Sequence, residues 1–143
     1  MKKPYILTAH NKLEELIRLE AEALINNPLR FLDDNNGDIS NNKTFFELSV
    51  ESLFIIIDES MIDVIKETLI DFGYNLTIED ATEKLLFDQI NFKNITDDVK
   101  EEINKYYIKT YDFNDILDKI NIVGIEKLNE LDKSILNKKT LSY

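Results

Sequence analysis

Four carboxylates recur at intervals of four residues in one segment of the chain, which we call the acidic stripe: Glu59, Asp63, Glu67 and Asp71. If the segment is a helix, this spacing places all four on a single face. Like charges at this spacing repel by roughly 0.2–0.5 kcal/mol per pair, and an anion near a helix C-terminus opposes the helix dipole. Two interpretations stay open: a surface that faces a basic partner, and a solvated face that Lys66 partly neutralises.

The net charge restricts the kinds of partner that the chain can bind. The formal net charge is −11 over 143 residues, and residues 58–102 alone hold thirteen acidic and four basic residues. Such a chain repels nucleic acid and anionic membranes, because phosphate binding requires clustered Lys and Arg. We therefore expect a basic protein as partner, for example a nucleic-acid-binding protein, and no direct contact with nucleic acid or membrane.

Few residues are available for any other site chemistry. The chain has no cysteine, which excludes disulfides, thiolate catalysis and cysteine-ligated metals. His10 is the single histidine, and with Glu14 it supplies two possible ligands, too few for a common transition-metal site. We therefore predict no catalytic residue, no metal site and no cofactor.

The segment of residues 34–40, DNNGDIS, resembles the middle of an EF-hand calcium loop. With its glycine at the sixth loop position, three side chains fall on ligand positions: Asp34, Asn36 and Ser40. Leu32 stands where the first Asp belongs, and Lys43 stands where the bidentate Glu belongs. A lysine there opposes a cation, so we expect weak or no calcium binding in an ordinary turn-forming loop.

An aromatic cluster, made up of Tyr106, Tyr107, Tyr111 and Phe113, also contributes candidate binding residues. Tyr107 and Tyr111 lie four residues apart in a predicted helix and therefore share a face. Tyrosine is enriched at the centres of protein interfaces, and it is also an ordinary residue of protein cores. We count both tyrosines, with the acidic stripe, as candidate partner-binding residues.

The spacing of apolar residues predicts mostly helix, with only three Gly and two Pro in the chain. In the first helix we expect one apolar face, formed by Leu13, Leu16, Ile17, Leu24 and the alanines. Residues 45–57 fit the residue spacing of a strand and also that of a helix. Apolar and polar residues alternate in this segment, which is typical of a strand. The spacing of Phe46, Val50, Leu53 and Ile57 is typical of a helix, and we favour the helix. Helices are expected over about 8–26, 59–72, 77–90, 113–121 and 125–138, and Thr96 is expected to cap a further helix.

These elements predict a mainly α fold, a single-domain multi-helix bundle over residues 1–143. The alternative is an α+β fold with a strand within 45–57. The chain shows no apolar segment of a secretory signal and no apolar stretch long enough to span a membrane. We therefore expect a cytoplasmic protein.

Charge and size together favour a small acidic binding or inhibitory protein, not an enzyme, that occupies a basic surface of its partner. Immunity proteins, antitoxins and phage inhibitors of host defence fit this description as a class. Two alternatives stay open: an enzyme or metal-binding protein that uses carboxylates alone, and a structural subunit that self-associates through the aromatic cluster.

The net charge leads to a direct prediction. The protein should not bind random duplex DNA at physiological salt, because it has no surplus of cations to replace the condensed counterions. A gel-shift titration with random duplex DNA checks this. A shift that weakens as salt is raised would contradict the electrostatic argument.

Overall fold

A computed structural model of the chain describes residues 1–26, 28, 45–93 and 95–141. Within this part, six α-helices and four strands belong to two compact units, Met1–Thr82 and Glu83–Tyr143. The chain is therefore helix-rich and of mixed α and β structure. This fits the alternative α+β prediction, with strands inside 45–57, better than a pure helical bundle. Each unit is described by itself.

The first unit is a four-stranded antiparallel sheet with two helices. Its elements are β1 (Lys2–Ala9), α1 (Leu13–Asn26), β2 (Phe45–Glu47), β3 (Ser52–Asp58), α2 (Ile62–Phe72) and β4 (Leu76–Asp80), with a 3-10 turn at Glu59–Met61. The strand order is β2-β3-β1-β4, and every neighbouring pair is antiparallel. This topology is the split β-α-β arrangement of ferredoxin-like folds.

One face of the sheet packs against α2. Tyr5 and Leu7 are two residues apart on β1 and share this face, and Tyr5 lies opposite Ile55 in the register. These side chains pack against α2 through Ile65 and Leu69, which are spaced for one helical face. The position of α2 therefore follows from the apolar face of the sheet.

The sequence-based element assignments fail where strands form. The first helix begins at Leu13, and the residues before it form the central strand β1. Residues 52–58 form β3 instead of the favoured helix, and residues 76–80 form β4 instead of the start of a helix. These segments pair with β1, which is far from them in the chain, so local apolar spacing does not reveal their conformation.

The burial of α1 differs in part from the prediction. Leu16 is buried as predicted, at 6% exposure, and Leu19 is buried with it, at 1%. Leu13, Ile17 and Leu24 belong to the predicted apolar face, but they are 60%, 58% and 86% exposed.

Local contacts stabilise the 3-10 turn before α2 and the end of α2. Asp58 accepts hydrogen bonds from Ser60 N at 3.0 Å and Ser60 Oγ at 2.8 Å, and these bonds, with the N-terminal ammonium group, lower the pKa of Asp58 to about 2. Gly73 ends the helix, as predicted, with a φ of 130°. A Cβ at this position would lie 2.9 Å from the Cδ2 atom of the buried Leu19.

The second unit is helical in its described part. Its helices are α3 (Thr82–Leu86, which begins on the last residue of the first unit), α4 (Asp97–Thr110), α5 (Phe113–Val123) and α6 (Glu130–Leu141). Thr96 caps α4 as expected: its Oγ1 accepts from Val99 N at 3.3 Å. Among the described helices of the whole chain, none is long and apolar enough to cross a membrane.

The close approach at Gly73 predicts a large effect of a small substitution. Gly73→Ala should lower the free energy of unfolding by about 1–3 kcal/mol, because it adds backbone strain and forces Leu19 to move. Gly124→Ala is the matched control: its φ of 91° is also positive, but the Cβ would meet only the exposed Glu126 side chain. Urea unfolding should show the larger loss for Gly73→Ala, and equal losses would contradict the packing argument.

Candidate functional site

Three members of the acidic stripe lie on the solvent side of α2. Asp63, Glu67 and Asp71 are all exposed, whereas Ile65 and Leu69 on the opposite side are buried. Each of these residues is four positions after the previous one, so successive carboxylates are separated by about 6 Å along the helix axis. We call these three residues the acidic face of α2. Val64 and Ile70 flank it at 43% and 44% exposure.

The fourth member, Glu59, lies outside the helix. It sits in the 3-10 turn before α2, and its carboxylate pairs with Lys3 Nζ at 3.3 Å. The hydrogen bond and charge of Glu59, with the charge of Asp80, raise the pKa of Lys3. Glu59 therefore holds β1 to the turn that leads into α2.

The acidic face forms no ion pair within the described part of the chain, although Lys66 lies three residues after Asp63 on the same helix. None of the ion pairs found there involves Asp63, Glu67 or Asp71. Asp71 also lies in the last turn of α2, which contains no basic residue to complement the helix dipole. The three carboxylates are thus available to a cation from outside the chain.

The two tyrosines lie inside the second unit. Tyr107 is 2% exposed and Tyr111 is 5% exposed, and their ring centroids are 4.6 Å apart. They pack in the core and offer little surface to a partner. A role for them in partner binding stays an untested prediction.

A buried ionic network surrounds Tyr107. Lys119, which is 1% exposed, donates from Nζ to Asp132 Oδ2 at 2.7 Å and to Asp88 Oδ2 at 3.0 Å. Tyr107 donates to Asp132 Oδ1 at 2.5 Å. Burial and the carboxylate of Asp132 raise the pKa of Tyr107 well above its usual range. The network joins α4, α5, α6 and the residue Asp88 just beyond α3.

Asn129 completes the network at the start of α6. Its backbone N–H donates to Asp132 Oδ2 at 3.0 Å, and its Oδ1 accepts from Asp132 N at 2.8 Å, which is a reciprocal helix cap. Its Nδ2 donates to Asp88, whose φ is 54°. Within the described part, no buried side-chain N or O atom lacks a hydrogen-bond partner. With every group engaged, the network is suited to holding helices together.

This network was missed in the sequence. A signal was present: Lys119 follows Ile116 by three residues on the inward face of α5, where an apolar residue is expected. Asn129 and Asp132 also have the spacing of a capping pair. The sequence does not show that Asp88 and Asp132 meet the same ammonium group, because that depends on how three helices pack.

The remaining candidates do not form a metal site in the part of the chain that the structure describes. No group of three or more His, Asp or Glu side chains there could hold a metal ion. His10 Nε2 lies 2.9 Å from Thr77 Oγ1. The calcium-like segment of residues 34–40 lies outside the described residues.

Comparisons with protein-family models, with curated proteins and with solved structures give no match to this chain. Function must therefore be argued from the geometry.

The buried network predicts a strong effect of removing its cation. Lys119→Met should lower the free energy of unfolding by about 3–5 kcal/mol, because it leaves the buried Asp132 carboxylate without a counter-charge. Lys109→Met removes an exposed lysine and is the control.

Lys119→Met/Asp132→Asn should recover part of the loss, since the buried charge is then removed as well. Denaturant titrations followed by circular dichroism measure all three variants. A Lys119→Met variant as stable as Lys109→Met would contradict this account.

Proposed function

We propose that this protein binds a basic protein partner through the acidic face of α2 and thereby occupies a cationic surface. The supporting observation is that Asp63, Glu67 and Asp71 are exposed together, with no ion-pair partner in the described part of the chain. Mutual repulsion at this spacing lowers helix stability. A cation from a partner would relieve the repulsion and add charge-assisted hydrogen bonds.

The distribution of charge supports this proposal. The first unit holds sixteen acidic and seven basic residues, a net charge of −9, whereas the second unit holds twelve and ten, a net charge of −2. A field concentrated on one unit attracts a cationic surface over a range set by the ionic strength. The inhibitory role is the natural consequence: a cationic surface covered by this unit is closed to its usual anionic ligands.

The flanking side chains suit a protein partner better than a small cation. Val64 and Ile70 are each more than two-fifths exposed beside the carboxylates. A mixed surface of this kind can bury apolar area while its charges pair, as the centre and rim of protein interfaces do.

The experiment is a co-purification with matched charge changes. Asp63→Asn/Glu67→Gln removes two charges from the acidic face, and Asp118→Asn/Glu126→Gln removes two exposed charges from the second unit. We expect a basic protein to be retained from a native lysate by the parent chain and the control, and to be lost from the first variant. The first variant should also be more stable by a few tenths of a kcal/mol.

The kinetics of the purified partner then test the mechanism. Association with the Asp63→Asn/Glu67→Gln variant should be about tenfold slower at low salt, and the difference should shrink as salt is raised. The proposal fails if affinity and its salt dependence are the same for this variant as for the parent chain.

A further inference from the structure

The first unit contains an apolar groove that the proposed function does not use. It encloses about 310 Å³ between α1, the β2–β3 hairpin and the sheet, and its floor includes Leu7, Leu53 and Leu69. Tyr74 lines the wall of the groove. Burial is the larger cause, and the charge of Glu20 the smaller cause, of the raised pKa of Tyr74. None of Asp63, Glu67 and Asp71 lines the groove. It is therefore a surface separate from the acidic face of α2.

The rim of the groove is acidic. Three exposed carboxylates line it, one from α1, one from β2 and one from the turn before β3: Glu20, Glu47 and Glu51. Glu47 lies opposite Leu53 in the strand register, so its side chain is on the same face of the sheet as the apolar floor. No lysine or arginine is among the described residues that line the groove.

The apolar surface continues along α1. Leu24 lines the groove and is 86% exposed. Leu13 and Ile17 share its side of the helix, eleven and seven residues earlier, and are 60% and 58% exposed. From Leu13 to Leu24 the apolar strip runs about 16 Å along the helix axis. An elongated apolar surface of this kind marks an interaction site and suits a peptide segment more than a compact molecule.

From the apolar floor, the acidic rim and the elongated strip, we propose that this groove binds a basic amphipathic helix of a partner protein. Apolar side chains of that helix fill the groove and lie along Leu13, Ile17 and Leu24. Its lysines or arginines pair with Glu20, Glu47 and Glu51. The charge of the rim favours a basic helix over other helices. An acidic or neutral helix in the groove would leave the three rim carboxylates without counter-charges where water is excluded.

The test uses two synthetic probes and three variants. The first probe is a fluorescein-labelled 14-residue peptide of leucines at helical spacing with lysines elsewhere, and the second has glutamates in place of the lysines. Fluorescence anisotropy should show binding of the lysine peptide to the full chain and none of the glutamate peptide. Circular dichroism confirms that each variant folds.

Leu24→Asp is the decisive variant. It makes the chain more acidic, so binding that depends on general charge attraction alone would become tighter. Contact with the groove predicts the opposite, a loss of about tenfold or more, because a charge replaces an apolar contact. Since Leu24 is 86% exposed, the substitution should leave the fold intact.

Two charge variants separate contact with the groove from general charge attraction. Glu47→Gln/Glu51→Gln should weaken binding of the lysine peptide several-fold, with a smaller salt dependence. Asp118→Asn/Glu126→Gln makes the same change in net charge at two exposed residues of the second unit, and it should bind the lysine peptide within about twofold of the parent chain.

The proposal is overturned if the lysine peptide does not bind, if Leu24→Asp binds it as well as the parent chain, or if the two charge variants weaken binding equally. A second copy of the chain could cover this face instead. The proposal is therefore also overturned if sedimentation velocity shows self-association of the parent chain, Leu24→Asp abolishes that self-association, and the lysine peptide does not bind.

Discussion

The pairing of β1 on both edges is the constraint on which the first unit depends. Lys2–Thr8 pairs with β3 and Tyr5–Ala9 pairs with β4, so residues 5–8 are paired on both sides within the sheet. With β1 in place, its buried side chains present the apolar surface that receives α2. The side of α2 that packs on this surface leaves the opposite side, with its carboxylates, to solvent. The exposure of the acidic face therefore depends on β1, although no residue of the acidic face belongs to β1.

The same packing leaves the groove open. α1 buries only Leu16 and Leu19 well, and the rest of its apolar side does not reach the sheet. A helix normally gains most of its stability from burying its apolar side, so this exposed strip is unfavourable unless something covers it. Exposed apolar area and an acidic rim in one unit support the proposal that the unit binds partners that are both basic and apolar.

The second unit contains a buried ion pair. Lys119 and Asp132 are almost fully buried, and desolvation of such a pair costs as much as its attraction returns unless other hydrogen bonds assist. Tyr107, Asn129 and Asp88 supply those bonds. The network requires one arrangement of the helices, because each donor has a specific acceptor on another element. Its contribution is therefore to the specificity of packing rather than to an exposed site.

By itself, the sequence determined the features that depend on near neighbours. It established the net charge, the four-residue spacing of the carboxylates, the caps of the helices at Thr96 and Gly73, and the approximate extent of α2 and α5, because capping and helical spacing act within one or two turns. Only the tertiary structure decided the strands at residues 2–9, 52–58 and 76–80, the exposure of the apolar side of α1, the burial of Lys119 and the groove. Strand pairing and burial join residues that are far apart in the chain, so local patterns do not decide them, and at residues 45–57 the local pattern fits both a strand and a helix.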